Sequence, residues 1–119
     1  IRQRILSIKQ LYNDRRIKAI FQPHLYSRTH DFYKEFAESL SLLDEVILTE
    51  IYPARELPIK GISSRLIYDH LRPGIEKTLC NKEEILGILK QKDIEVLITL
   101  GAGDIENYVQ PICEILNKQ

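Results

Sequence analysis

Apolar residues in this chain keep switching between two spacings, and that switching limits the folds open to it. Ile1, Ile5, Ile8 and Tyr12 recur at helical spacing until Asn13 and Asp14 break the pattern. Residues 17–22 (IKAIFQ) form a short β-prone run closed by Pro23. Phe32, Phe36, Leu40 and Leu43 mark a second helix, with Thr29 placed to cap its start. Residues 45–52 (EVILTEIY) read as a second strand stopped by Pro53. After a longer loop come a short helix over 64–71 and, past the Arg72-Pro73-Gly74 turn, a weak strand over 75–79. Asn81 with Glu84 three residues on signals a helix start, and Ile85, Ile88 and Leu89 give that helix its buried stripe. Residues 95–100 (EVLITL) are the clearest strand, and Ile105, Val109, Ile112 and Leu116 mark a last helix. Strands alternating with helices at short connections imply parallel strands with helices on both faces. The Ile, Val and Leu content of the strands suits a sheet buried on both sides. The expected fold is therefore α/β, a Rossmann-like three-layer α/β/α domain with a mainly parallel sheet.

At 119 residues the chain suits one domain with one core, residues 1–119. It is 44% hydrophobic and 29% charged, as soluble globular domains are, and no apolar run approaches the roughly 18 residues of a membrane span. The chain contains no Met and opens on a leading helix with no strand before it, so an excised piece of a larger protein is expected, with its first strand trimmed away. Seventeen basic residues balance seventeen acidic ones, so no global field favours nucleic acid. Residues 1–18 do carry Arg2, Arg4, Lys9, Arg15, Arg16 and Lys18 against Asp14 alone, an excess that suits a phosphate-bearing ligand or a solvated helix face. Cys80 and Cys113 belong to no C-x-x-C pair, which argues against a disulfide framework and a zinc site and for free thiols in a reducing cytoplasm.

Ligands of open parallel sheets bind beyond the carboxyl ends of the strands. Three strand ends here carry polar loops. The first places His24, Tyr26 and Arg28 before a helix start, where unpaired N–H groups suit a carboxylate or phosphate and an arginine fork can hold an oxyanion. Alternatively, His24 and Tyr26 tie down the loop and Arg28 pairs with Asp31 or Glu35. The second runs from Tyr52 through Pro53, Glu56 and Pro58 to Gly61 and Arg65, long and stiff for such a connection. Glu56 can pair with a substrate ammonium and Arg65 with its carboxylate, or the two can join Arg55 in a surface network. The third is Gly101-Ala102-Gly103-Asp104, where glycines let backbone approach a ligand, or simply make a tight turn. Glu106 stands where a dinucleotide fingerprint needs its third glycine. The chain has no phosphate loop, nucleophile elbow or metal-ligand spacing, and therefore no catalytic set of its own. His70, near a helix C-terminus, suits the dipole there.

Those three loops carry a family resemblance. FQPHLYSRTHDF (residues 21–32) is similar to the F-Q-P-H-x-Y-S-R-T-x-D segment of UDP-N-acetylmuramate–L-alanine ligases. IYPARELPIKG (residues 51–61) resembles their Y-P-A-x-E-x-P-I-x-G loop, and LGAGDI (residues 100–105) their G-A-G-[DN]-I turn. The resemblance implies the third, C-terminal domain of a three-domain cytoplasmic enzyme of peptidoglycan synthesis. In that family the first domain binds the UDP-sugar and the central one holds ATP and Mg2+. ATP activates the muramoyl carboxylate as an acyl phosphate, which the L-alanine amine attacks. Carried over by motif, His24, Tyr26 and Arg28 face alanine and the reacting carbonyl, Tyr52 and Glu56 lie in the second loop, and Gly101 and Gly103 form the turn beside the site. Asp31 matches an acidic position used toward the ATP ribose. His30 replaces the Arg common at its position, and an imidazole is the weaker partner for nucleotide phosphate. The upstream D-x-Y-x-H-x-P segment of the family is not in this chain. Two other readings remain at this point: a tripeptide-recycling muramate ligase domain, whose family differs in the P-H-x-Y-S-R-T loop, and a non-catalytic α/β module for a small ligand.

Overall fold

All six residues of the first strand, β1 (Ile17–Gln22), are buried, and a strand covered on both faces belongs in the middle of a sheet. The computed structural model describes residues 2–91 and 96–101. In it β1 pairs in parallel with β2 (Glu45–Leu48) along one edge and with β4 (Val96–Gly101) along the other. β3 (Glu76–Leu79) pairs in parallel with the outer edge of β2, giving the order β3-β2-β1-β4. Helix α1 (Arg2–Leu11) leads into β1, α2 (Tyr26–Leu40) joins β1 to β2, and α3 (Ser64–His70) joins β2 to β3. A 3-10 turn (Lys82–Glu84) opens α4 (Ile85–Lys90) between β3 and β4.

The pleat sends alternate residues to opposite faces of the sheet. Ile17, Ala19 and Phe21 of β1, with Val46, Leu48 and Leu100, meet Ile5 of α1, Ala37 and Leu40 of α2 and Ile67 of α3. Ile20 and Ile47 point the other way and meet Ile85 and Leu89 of α4. Helices thus cover both faces of an all-parallel sheet, the three-layer arrangement that the alternating spacing implies. Each buried aliphatic side chain contributes about 1.5–3 kcal/mol relative to exposure. Burial on both faces, with the larger cluster on the α1–α2–α3 side, is what keeps β1 central.

Several boundaries differ from the sequence expectation. Helix α2 begins at Tyr26, so Thr29 does not cap it. Thr29 is buried inside the first turn, and its hydroxyl donates to the Leu25 carbonyl at 2.9 Å. The helix can start so soon after Pro23 because Leu25 adopts φ +69°, reversing the chain in one residue. Strand β2 ends at Leu48 rather than at residue 52. One further main-chain bond reaches β1, from Thr49 N–H to the Phe21 carbonyl at 3.1 Å, and pairing resumes only as a single bridge at Tyr52. The weak third strand starts at Glu76 and the short helix ends at His70. The Glu84 carboxylate accepts from the Asn81 backbone N–H at 2.9 Å, the reach-back that the Asn81/Glu84 spacing implies. His70 sits at the last turn of α3 with Nδ1 2.8 Å from the Leu66 carbonyl. Glu95, Cys113 and the expected helix over 105–116 lie outside the described residues.

One feature of the core has no signal in the apolar pattern. Lys18 of β1 and Glu45 of β2 face each other in register, and their charged ends lie 3.2 Å apart with side chains only 9% and 1% exposed. A buried pair of this kind adds little over apolar neighbours, but removing one partner strands the other charge away from water. We expect Lys18→Met to destabilise the fold by about 3–5 kcal/mol, and Lys18→Met with Glu45→Leu to recover most of that loss. Denaturant midpoints of the two variants check this, and equal losses in both would contradict it.

Candidate functional site

β2 and β4 flank β1 on opposite sides, so the path of the chain across the sheet reverses between β1 and β4. At such a reversal the loops leaving neighbouring strands part, and a crevice opens at their carboxyl ends. The segments leaving β1 and β4 begin at Pro23 and Gly101, two of the three polar loops marked in the sequence. Gln22 and Gly101 pair in register there. Gly101 has φ +117°, and a Cβ on it would lie 2.2 Å from the Gln22 carbonyl oxygen. Only glycine lets the two strand ends close to this distance. A Gly101→Ala variant should lose about 2 kcal/mol or more, combining strained backbone with overpacking against main chain. Gly74, at φ +85° with open space around it, is the control. Its alanine variant should lose clearly less in the same unfolding experiment.

The second loop is laced to the first by main chain. Tyr52 N–H donates to the Pro23 carbonyl at 2.8 Å, and Leu25 N–H donates to the Tyr52 carbonyl at 2.9 Å. These bonds form the parallel bridge between His24 and Tyr52, whose rings stack at 5.9 Å with an 18° interplanar angle. A few residues on, Glu56 reaches the start of α2. One carboxylate oxygen accepts from the Ser27 N–H at 3.1 Å and the other accepts from the Ser27 hydroxyl. Leu25 at the cap position has no side chain able to satisfy a helical N–H, and Glu56 does so from another loop. The Ser27 hydroxyl bond, with the Ser27 N–H bond next, holds the Glu56 carboxyl below the usual carboxylate range. With the folded pKa lowered, this contribution is complete above the ordinary carboxylate value. It is lost only as pH falls through the lowered one, so at neutral pH the contact is fully made.

His24, Tyr52, Glu56 and the first turn of α2 with Tyr26 thus form one unit. Arg28 lies on that turn with its guanidinium 5.7 Å from the centre of the Phe32 ring, at the mouth of a groove of about 310 Å3 between α1 and α2. Arg2, Glu35 and Phe36 also line this groove. Among the described residues no carboxylate forms an ion pair with Arg28. The pairing with Asp31 weighed from sequence is replaced by Asp31 with His30, 3.0 Å apart and exposed. The Arg55–Glu56–Arg65 network weighed from sequence is also absent, because Glu56 is engaged at Ser27. Arg65 pairs instead with Asp69 on its own helix at 3.6 Å and lies over the Tyr68 ring. The α2 start is not an open anion site either, since Glu56 already meets its Ser27 N–H. Gly103 lies outside the described residues.

Sequence reading missed Ser27 as the partner of Glu56. The available signal was the lack of Ser, Thr, Asp or Asn at the true cap position, which demands a donor's partner from elsewhere. Among the described residues no cluster of His, Cys, Asp and Glu could hold a metal ion, and no helix is long and apolar enough to cross a membrane. Cys80 is a free thiol that burial, with Glu84 and Glu50 nearby, pushes up to about 11. At neutral pH it is protonated and a poor nucleophile.

No family model matches the chain. Over all 119 residues it is 71% identical to a UDP-N-acetylmuramate–L-alanine ligase of Phocaeicola vulgatus, of which it covers 26%. It is 56% identical over the same length to the ligase of that name in Parabacteroides distasonis, again covering 26%. A third, in Cytophaga hutchinsonii, is 47% identical over 106 residues, which are 89% of this chain and 22% of that protein. The chain spans about a quarter of the length of these curated relatives.

Proposed function

The chain is homologous along its full length to UDP-N-acetylmuramate–L-alanine ligases, and on that premise we propose that it is their C-terminal, amino-acid-receiving domain. The observation that carries this reading is the convergence of the motif-bearing loops. His24 bridges Tyr52, Glu56 meets Ser27, and Gln22 pairs with Gly101, all at the carboxyl ends of adjacent parallel strands. A site assembled there has polar side chains and an exposed guanidinium, and among the described residues no cluster of His, Cys, Asp and Glu that could hold a metal ion.

In this reading the chain binds and orients rather than reacts. His24, Tyr26 and Arg28 receive L-alanine and direct its amine toward the activated carboxyl of UDP-N-acetylmuramate. ATP, a substrate of the reaction, and Mg2+ are held mainly by the rest of the protein. The described carboxylates do not converge as metal ligands. Asp31, on the exposed side of α2, is the residue of this chain directed to the nucleotide ribose. Holding the amine in line with the carbonyl lowers the barrier by removing translational and rotational freedom beforehand. Closure of the domain over the site excludes water, which would otherwise consume the acyl phosphate. The work takes place in the cytoplasm, where UDP-sugar and ATP are both supplied.

The full-length protein should release phosphate from ATP when given UDP-N-acetylmuramate and L-alanine together. Turnover with a tripeptide and not with alanine would sink this reading, and the 119-residue chain alone should release no ADP under the same conditions. In the full-length enzyme, Arg28→Ala should raise the alanine KM or lower kcat about tenfold while leaving the melting temperature nearly unchanged. A drop in stability with intact kinetic constants would instead assign Arg28 a structural role.

A further inference from the structure

The carboxylate in the second loop has two possible employments, and the geometry separates them. A carboxylate reserved for a substrate ammonium has no need to spend both oxygens on one residue of its own chain, since each oxygen then keeps only one further lone pair. Glu56 instead commits both oxygens to one residue, Ser27, one to its N–H at 3.1 Å and one to its hydroxyl. Ser27 lies between Tyr26 and Arg28 in the first turn of α2. Its backbone therefore fixes where those two side chains start. The same turn leaves a corner at Leu25 whose φ of +69° is costly for a branched residue and needs outside support. Thr29 of α2 supports the corner from within, through its N–H and hydroxyl to the Leu25 carbonyl, and the second loop supports it from outside, through the Tyr52 main-chain bonds on one side and Glu56 on the other.

We infer that Glu56 is a positioning residue for the amino-acid site: it latches the second loop to the start of α2 and holds Tyr26 and Arg28 in place, without itself touching the amino acid. This rests on the ligase reading above and assigns Glu56 a different task from the direct contact with a substrate ammonium considered from sequence. The lowered Glu56 pKa agrees with a carboxylate already satisfied from within the protein.

Neutral glutamine is the decisive replacement. Its amide oxygen can accept from the Ser27 N–H while its NH2 donates to the Ser27 hydroxyl, so it keeps a latch but not a charge. Steady-state constants of the full-length ligase should be measured for Glu56→Ala, Glu56→Gln, Ser27→Ala and the Ser27→Ala/Glu56→Ala pair. We expect Glu56→Ala to raise the alanine KM about tenfold, with the UDP-sugar and ATP constants within about twofold of the parent, and Glu56→Gln to stay within about threefold. The double variant should be no worse than Glu56→Ala alone, because both changes open one contact. A Glu56→Gln enzyme as impaired as Glu56→Ala would mean that the charge meets substrate, and additive losses in the pair would say the same. Equal losses for all three substrates with a lower melting temperature would reduce Glu56 to a general structural role. A parent enzyme that ligates no alanine at all overturns the ligase reading itself, which is a different result from any of these.

Discussion

The position of β1 is the constraint on which the remaining structure depends. Its N–H and C=O groups are taken up by β2 on one edge and β4 on the other, and its side chains feed both cores. A strand held on four sides has no freedom to slip, since a shift of one residue would exchange Ala19 and Phe21 for Lys18 and Ile20 on the α2 face. Everything that forms the candidate site leaves from this strand's carboxyl end or from a neighbour that it aligns. The Gln22–Gly101 approach belongs to the same alignment, because a side chain at 101 would push β4 away from β1.

The two ends of the sheet have been given different physical tasks. At the amino end, Lys18 and Glu45 form a dry ion pair far from the polar loops, and Arg72 binds the Ser41 and Leu43 carbonyls that follow α2. These contacts satisfy groups that would otherwise be buried without partners. At the carboxyl end the backbone is irregular, with Leu25 and Ala54 at positive φ and long polar loops facing outward. Strain and exposed polarity collect where ligands are expected. Glu56 belongs to the carboxyl end, a loop carboxylate that caps the first turn of α2 beside the Leu25 corner.

How far the sequence carried the description depends on the range of the interactions involved. The strand Ile17–Gln22 was legible to the residue, because a proline ends it and a β-prone run fills it. The start of α2 was not, because its true cap residue, Leu25, has no capping side chain and Thr29 offered a local cap in the wrong place. The second strand looked longer than it is because residues 49–52 keep a β-like composition, whereas pairing there lapses to a single bridge. The three loops were legible as motifs, and the meeting of the first with the second, and of Gln22 with Gly101, followed from the parallel topology. Which residues they use on each other was not: Arg65 turned to Asp69, Asp31 to His30, and Glu56 to Ser27.

By itself, the sequence determined the layered architecture, since spacing of apolar residues sets which face of each helix and strand must leave water. It also determined which loops carry the motifs that resemble those of the ligases. Tertiary structure alone decided the employment of the charged side chains. A long side chain such as Arg65 or Glu56 can reach several partners within its radius, and the difference in energy between them is small. The choice falls to whichever donor or acceptor the fold leaves unsatisfied nearby, and for Glu56 that is an uncapped helix N–H 29 residues away in sequence.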